Sequence, residues 1–155
     1  MTTQSQTLRG IFIGISLLLL TACGGGGGVP PPPSGITARQ IATGSNHTCA
    51  LLDNATVKCW GENSFGRLGQ GDTNDRGDVS GEMGKNLLAI DLGSGRTATQ
   101  IAAGDFHTCA LLDNATVKCW GENSSGQLGQ GDTNARGDGP GEMGDLLPPV
   151  ELESP

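Results

Sequence analysis

The residues best able to do chemistry in this sequence are histidines and cysteines that recur at one spacing. His47 and Cys49 stand two positions apart, and Cys59 follows ten residues later. The same eighteen letters, HTCALLDNATVKCWGENS, start again at residue 107 and supply a second set: His107, Cys109 and Cys119. Such groups can bind zinc, form a nucleophilic pair, or pair as disulfides in an oxidising compartment. Which of these they do depends on the elements that hold them and on where the chain resides.

The elements that hold these residues are predicted to be short strands. β-Branched and apolar segments bounded by Gly, Asn and Asp favour strands, and no segment has helical periodicity over more than two turns. In the first unit the predicted strands cover residues 37–43, 47–52, 56–61 and 87–92. The second unit repeats them at 97–103, 107–112, 116–121 and 147–152. The sequence therefore predicts an all-β fold of antiparallel repeats.

The quoted segment pairs best as a hairpin folded about Asn54. This fold places Cys49 opposite Cys59 and Leu51 opposite Val57, with a three-residue turn between the strands. Because side chains alternate along a strand, His47 shares a face with these four residues. The other face is also apolar, since it carries Ala50, Leu52 and Trp60. Two apolar faces predict a sheet that packs between two neighbours.

The first 22 residues have the pattern of an export signal. An apolar run, IFIGISLLLL, follows Arg9 and is too short to span a bilayer, which takes roughly 20 residues. Leu20-Thr21-Ala22-Cys23 resembles the lipobox of bacterial lipoproteins, and this resemblance implies cleavage before Cys23 and acylation of that cysteine. An ordinary secretory signal remains the alternative. With Gly24 next, the lipoprotein rule implies the outer membrane of a bacterial cell envelope.

A tether and an acidic repeat region follow the signal. Residues 23–35 contain GGGGGVPPPPSG, which is typical of an extended linker between an anchor and a folded part. Loss of Arg9 with the signal changes the net charge from −7 to −8, and an acidic surface argues against nucleic acid as a partner. The chain has 27 glycines and few aromatic residues, so the core is expected to be thin and to need covalent support.

The two repeats resemble a known family. IATGSNHTCALLDNATVKCWGENSFGRLGQGD and IAAGDFHTCALLDNATVKCWGENSSGQLGQGD are similar to repeats of the regulator of chromosome condensation family, over nearly all of residues 36–152. The resemblance implies blades of a seven-bladed β-propeller, with repeats at 36–93 and 94–155, and the cysteine pair resembles a variant in exported bacterial members. It also implies that His47 and His107 are buried hydrogen-bonding groups. Nucleotide exchange in a nucleus is not expected of an exported acidic chain.

Two blades leave two open flanks, because each blade of such an array buries its faces on its neighbours. Trp60 and Trp120, which we expect to be structural, are then predicted to be partly exposed. Three explanations stay open: a fragment of a longer propeller, self-assembly of copies into a ring, and a short open arrangement held by disulfides.

The predicted hairpins place each cysteine pair within reach of a disulfide. In an exported chain we expect the bonds Cys49–Cys59 and Cys109–Cys119. One alternative is a zinc site that uses His47, Cys49 and Cys59, although zinc motifs usually have tighter spacing. The other is a nucleophilic cysteine activated by His47, for which no orienting group is evident.

The long loops contain three short motifs that match known sites weakly. DTNDRG starts like a calcium loop, but Arg76 and Met83 stand where ligands should be. RGD occurs at Arg76 and again at Arg136, where turn chemistry explains it. GRLGQG has no lysine after it and no strand-to-helix context, so it does not fit a phosphate loop.

The predicted function is that of a binding module. We expect a lipid-anchored envelope protein whose disulfide-stapled β-propeller-type repeats bind a protein or glycan at the cell surface through their loops, as a possible homo-oligomer. No acid, base and nucleophile come together, so no enzyme activity, cofactor or metal is expected. The alternatives are a non-functional fragment of a longer propeller, and a metal-binding protein or enzyme that uses the His and Cys faces.

Overall fold

Six strands form two three-stranded antiparallel sheets. The computed structural model describes residues 35–153, so the predicted signal peptide, Cys23 and all but the last residue of the tether lie outside the described residues. The first sheet has the order β1 (Ala38–Thr43), β2 (His47–Leu52), β3 (Val57–Gly61), and the second has β4 (Ala98–Ala103), β5 (His107–Leu112), β6 (Val117–Gly121). The helices of this region are single 3-10 turns, Ser64–Gly66 and Gly144–Leu146. The all-β prediction is confirmed.

The register of the predicted hairpin is confirmed in both units. In the first sheet Cys49 faces Cys59 and Leu51 faces Val57, and β5 and β6 repeat this register. The turn takes the left-handed conformation at its last residue, with φ of 63° at Ala55 and 65° at Ala115. Glycine would adopt this conformation without a Cβ clash, so each hairpin has a strained alanine where the turn needs a positive φ.

The predicted fourth strand of each unit is wrong. Residues 87–92 and 147–152 are not in a strand, and each segment bonds to the adjacent strand through a single main-chain donor, Ile90 N to Val57 O at 2.8 Å and Val150 N to Val117 O at 2.7 Å. Pro148 and Pro149 lack the N–H groups that a ladder needs. Side chains take up carbonyls instead: Gln70 Nε2 donates to Leu88 O at 3.2 Å.

The two sheets pack against each other through one apolar cluster. The first sheet contributes the face that carries its cysteines. The second sheet contributes the face that does not carry its cysteines and that includes Trp120. The buried members are Cys49, Leu51, Val57, Cys59, Leu68, Ile90, Leu92, Ala98, Ile101, Ala110, Leu112, Trp120 and Leu147. Each sheet therefore uses a different face at this contact, which leaves one face of each sheet turned outward. Within residues 35–153 no helix has the length and apolarity to cross a lipid bilayer.

Candidate functional site

The four cysteines of the repeats form two disulfides in different surroundings. Cys49 is bonded to Cys59 and Cys109 to Cys119, as predicted, with Cα atoms 4.1 Å apart in both pairs. The first disulfide is completely buried between the sheets, whereas Cys109 on the outward face of the second sheet is half-buried. A sulfur in a disulfide has no thiolate to offer, so neither zinc binding nor nucleophilic attack is open to these residues while the bonds are intact.

His47 joins the two sheets through a buried hydrogen-bond chain. Its Nε2 is 2.9 Å from Thr108 Oγ1, and the Thr108 hydroxyl donates to the main-chain oxygen of Arg67 at 3.0 Å. The Thr108 hydroxyl has one proton and donates it to the Arg67 oxygen, so it accepts from His47, and His47 Nε2 is the donor of the His47–Thr108 bond. Trp120 Nε1 donates to the same Arg67 oxygen at 3.1 Å. These contacts tie β2 of the first unit to β5 and β6 of the second.

The environment of His47 keeps its imidazole neutral. Burial first, and then the positive charge of Arg67, lower the pKa of His47 from 6.5 to about 4. Its Nδ1 is buried without a hydrogen-bond partner. A neutral donor in a closed contact suits the structural role implied by the family resemblance. The equivalent His107 lies on the outward side and is half-buried.

The two tryptophans are not equivalent. Trp120 is fully buried, so the expectation that it is partly exposed is wrong: the first unit covers it with Leu68 and Ile90. Trp60 is half-buried, as expected, and lines an open cavity of about 520 Å³ on the outward face of the first sheet. The other walls of this cavity are mainly apolar: Ile36, Ala38, Ala50, Leu52, Met83 and Leu87.

Arg67 is a buried charged residue that sequence reasoning did not single out. Its side chain is 1% exposed, and Nη1 is 3.3 Å from Glu62 Oε2. Its guanidinium carbon lies 4.8 Å from the centre of the Phe106 ring, which is a cation–π contact across the two units. Hydrogen bonds from Ser64 and Asn46, then the charge of Arg67, lower the pKa of Glu62. The only sequence signal was that Gln127 replaces Arg67 in the second unit.

One end of the two sheets collects the turns that precede β2 and β5 and the long loops that follow β3 and β6. Since His47 pairs with Gly61 and His107 with Gly121, the turns 44–46 and 104–106 lie at the same end as the loops after β3 and β6. We call residues 44–46, 62–80, 104–106 and 122–140 the loop end. The units differ here at seven positions, among them Phe65, Arg67 and Asp75, which become Ser125, Gln127 and Ala135.

Internal hydrogen bonds fix the shape of these loops. Arg76 donates to Asp72 Oδ2 at 2.7 Å and to Asn74 O at 2.8 Å, and its main chain bridges to Gly61. Arg136 makes the same contacts in the second unit. The arginine of each RGD is thus engaged within its own loop. The Asp72 carboxylate also accepts from Asn74 N, so the calcium-like loop uses this carboxylate for protein contacts.

Phe65 is the exposed aromatic residue of the first loop. It has a φ of 63°, inside the 3-10 turn, and its side chain is 48% exposed. Ser125, at the same position of the second unit, has no positive φ. Phe106, also at the loop end, is 39% exposed. Among residues 35–153, no group of three or more His, Cys, Asp or Glu side chains is placed to hold a metal ion.

Comparison with known proteins gives matches to one repeat family. Models of the regulator of chromosome condensation (RCC1) repeat match residues 38–67 and 98–127, and a second model of this repeat matches residues 56–111. The human E3 ubiquitin-protein ligase HERC2 is 38% identical over 95 residues, which is 60% of this chain and 2% of HERC2. The chain thus corresponds to a small part of this relative, and the match is confined to repeats.

Solved structures of larger proteins share the fold. Human WBSCR16 superposes with a TM-score of 0.52 and 23% identity, over 76% of this chain and 26% of the other. Prp20p from Saccharomyces cerevisiae superposes with a TM-score of 0.54 and 16% identity, over 78% of this chain and 27% of the other. The two sheets therefore have the architecture of β-propeller blades, short of a full ring. With its repeat models, its sixty-residue period and this blade fold, the chain belongs to the regulator of chromosome condensation (RCC1) repeat family.

Proposed function

We propose that this chain is a lipid-anchored protein of a bacterial cell envelope whose RCC1 repeats bind a protein partner through the loop end. The observation that carries the binding proposal is Phe65. It combines an exposed aromatic ring with a left-handed main chain. A non-glycine residue in that conformation costs on the order of 1 kcal/mol, and burial of about half of the ring contributes roughly the same amount, so Phe65 brings the fold little net stability.

The fold does not require an aromatic residue at this position. The second unit builds the corresponding loop with Ser125 and without positive φ. Aromatic residues on a rigid support are frequent anchors of protein interfaces. Hydrogen bonds within the loop, such as Asn63 Nδ2 to Asp72 O at 2.7 Å, supply that support. An exposed, preorganised Phe65 is thus suited to enter a pocket on a partner.

The charge of the loop end indicates the kind of partner. Its arginines are occupied, because Arg67 is buried beside Glu62 and Arg76 is paired with Asp72. Carboxylates remain along both loops, among them Asp75, Asp78, Glu122 and Asp138. We therefore expect the partner to present a basic surface around an apolar pocket. Protein binding has been described for the yeast protein with the same fold, Prp20p, towards Gsp1p and histones.

The binding proposal can be tested by photo-crosslinking in cells that export the lipidated chain. A photoreactive amino acid is placed at position 65, and in a control chain at position 114, in the exposed turn at the opposite end of the second sheet. The proposal expects a discrete protein adduct from position 65 alone, and loss of partner recovery in a Phe65→Ser chain. An adduct removed by glycosidases would show a glycan instead. Identical patterns at both positions, or no adduct, would contradict the proposal.

The anchoring proposal depends on Leu20-Thr21-Ala22-Cys23 and has its own test. Cells fed labelled palmitate should produce a labelled chain in the membrane fraction, and Cys23→Ser should remove the label. Separation of inner and outer membranes should place the wild-type chain in the outer membrane. A wild-type chain without label, or one equally soluble with and without Cys23, would refute the lipid anchor and leave the binding proposal standing.

A further inference from the structure

The contact between the two units joins one face of the first sheet to one face of the second. The two outward faces of the sheets have nearly the same residues as these two buried faces. We call the outward face of the first sheet the leading flank; it carries Ala38, Ile41, Ala50, Leu52, Trp60 and Leu87. We call the outward face of the second sheet the trailing flank; it carries Cys109, Leu111, Val117, Cys119, Leu128, Val150 and Leu152. The residues of each flank lie sixty positions away in the sequence from the residues of a surface that is buried between the two sheets.

The apolar residues of the flanks match those of the internal contact. Position by position, the two flanks reproduce the buried cluster except that Val150 stands in place of Ile90. The two sets differ in exposure, because nothing within residues 35–153 covers the flank residues in the way that the buried ones are covered. Ile101 is 4% exposed, whereas its counterpart Ile41 is 65% exposed. Leu92 is 4% exposed, whereas its counterpart Leu152 is 74% exposed. The flanks thus have the composition of a core, and each has one large apolar side chain that is largely exposed although its counterpart is buried.

The polar groups of the internal contact also recur on the flanks. Inside the chain, His47 pairs with Thr108, and the Gln40 side chain forms a two-way bridge to the main chain of Ile101. On the trailing flank, His107 corresponds to His47 and Gln100 corresponds to Gln40. On the leading flank, Thr48 corresponds to Thr108 and Ile41 corresponds to Ile101. Trp60 likewise repeats Trp120, whose indole donates to a main-chain oxygen of the first unit.

From this correspondence we propose that two copies of the chain bind head to tail, with the trailing flank of one copy packed on the leading flank of the next, as the disulfide-bearing face of the first sheet packs on the opposite face of the second sheet within the chain. The occupant of each flank is a second copy, because the interface already formed inside the chain shows that these two surfaces fit. A head-to-tail contact leaves one flank of each kind free, so assembly continues until a ring closes or a filament forms. This inference uses the flanks and is independent of partner binding at the loop end.

One contact of the internal interface has no counterpart between copies. Arg67 lies over Phe106 inside the chain, whereas the corresponding pair between copies would be Gln127 and Asn46. The contact between copies therefore lacks the cation–π pair, and its formation also costs the translational and rotational entropy of association. We expect it to be reversible and to depend on concentration.

The test uses the exported chain with Cys23→Ser and a cleavable secretory signal, studied by sedimentation velocity over a wide range of concentrations. Ile41→Lys blocks the leading flank and Leu152→Lys blocks the trailing flank, and both positions are exposed, so neither change should disturb folding. The wild-type chain should shift from monomer to trimer or larger as its concentration rises, and each variant alone should stay monomeric. An equimolar mixture of the two should form a dimer and nothing larger, because one intact flank of each kind remains.

Folding of each variant is checked by its near-ultraviolet circular dichroism and by the absence of free thiols. Gln100→Ala provides a second trailing-flank variant should Leu152→Lys fail this check, and it should give the same dimer with Ile41→Lys. A wild-type chain that stays monomeric at every concentration would overturn the proposal. So would variants that associate like the wild type, or a mixture that stays monomeric.

Discussion

Removal of the two disulfides should destabilise the protein unequally although their sequences are identical. Both bonds close loops with a sequence separation of 10, so the chain-entropy contribution is the same, about 2.7 kcal/mol each. Cys49 and Cys59 are each 0% exposed within the core between the sheets, so Cys→Ala also removes two fully packed sulfur atoms. At roughly 1 kcal/mol for each buried sulfur, Cys49→Ala with Cys59→Ala should cost about 4 to 5 kcal/mol.

The matched variant is Cys109→Ala with Cys119→Ala. Cys119 is 5% exposed and Cys109 is half-buried on the trailing flank, so less packing is lost and the cost should be about 3 to 4 kcal/mol. The assay is equilibrium urea unfolding at a concentration at which the wild-type chain is monomeric, with m-values compared to confirm two-state behaviour. Equal losses in the two variants, or a larger loss from Cys109 and Cys119, would refute the claim that the first disulfide is the one packed between the units.

Three further predictions concern pH, the turns and the loop end. Unfolded His47 binds a proton near pH 6.5 and folded His47 only near pH 4, so the free energy of unfolding should fall by up to about 3 kcal/mol as pH drops through this window. Urea unfolding at a series of pH values should show that His47→Gln flattens this slope, and an unchanged slope would contradict the burial of His47. Ala55→Gly and Ala115→Gly remove positive-φ strain and should each raise the free energy of unfolding by about 0.5 to 1 kcal/mol after the entropy cost of glycine, measured as a higher thermal midpoint, whereas a lower midpoint would contradict the turn geometry. Phe65→Gly removes the same strain together with a half-buried ring, so it should change stability little and yet weaken partner recovery, and unchanged recovery would argue against Phe65 as an anchor.

Much of the fold followed from local pattern in the sequence. The hairpin register could be predicted because the cysteines, Leu51 and Val57 alternate about a short polar turn, and this pattern allows one pairing. The repeat period and the apolar character of both sheet faces followed in the same way. The fourth strand was wrong because apolar composition at 87–92 does not reveal that side chains such as Gln70 will occupy its carbonyls.

The site depended on tertiary position, which the repeated sequence cannot distinguish. Trp60 and Trp120 stand in identical segments, yet the first is half-buried and the second fully buried, since the first unit covers only the second. Arg67 is buried beside Glu62 of its own loop and the Phe106 ring of the second unit, and the contact with Phe106 depends on the packing of the two units. The left-handed conformation of Phe65 could not be predicted from the sequence for a related reason, since it depends on how its loop is packed.

The claim that the two units pack as adjoining blades is tested most directly by a double-mutant cycle. His47→Gln, Thr108→Val and the double variant are compared by urea unfolding at a monomeric concentration, alongside the same cycle on His107 and Thr48, which meet no partner of this kind within residues 35–153. The structure predicts a coupling energy of about 1 kcal/mol or more for His47 with Thr108, and a value near zero for the matched pair. A coupling indistinguishable from zero for His47 and Thr108 would contradict the packing of the two units described above.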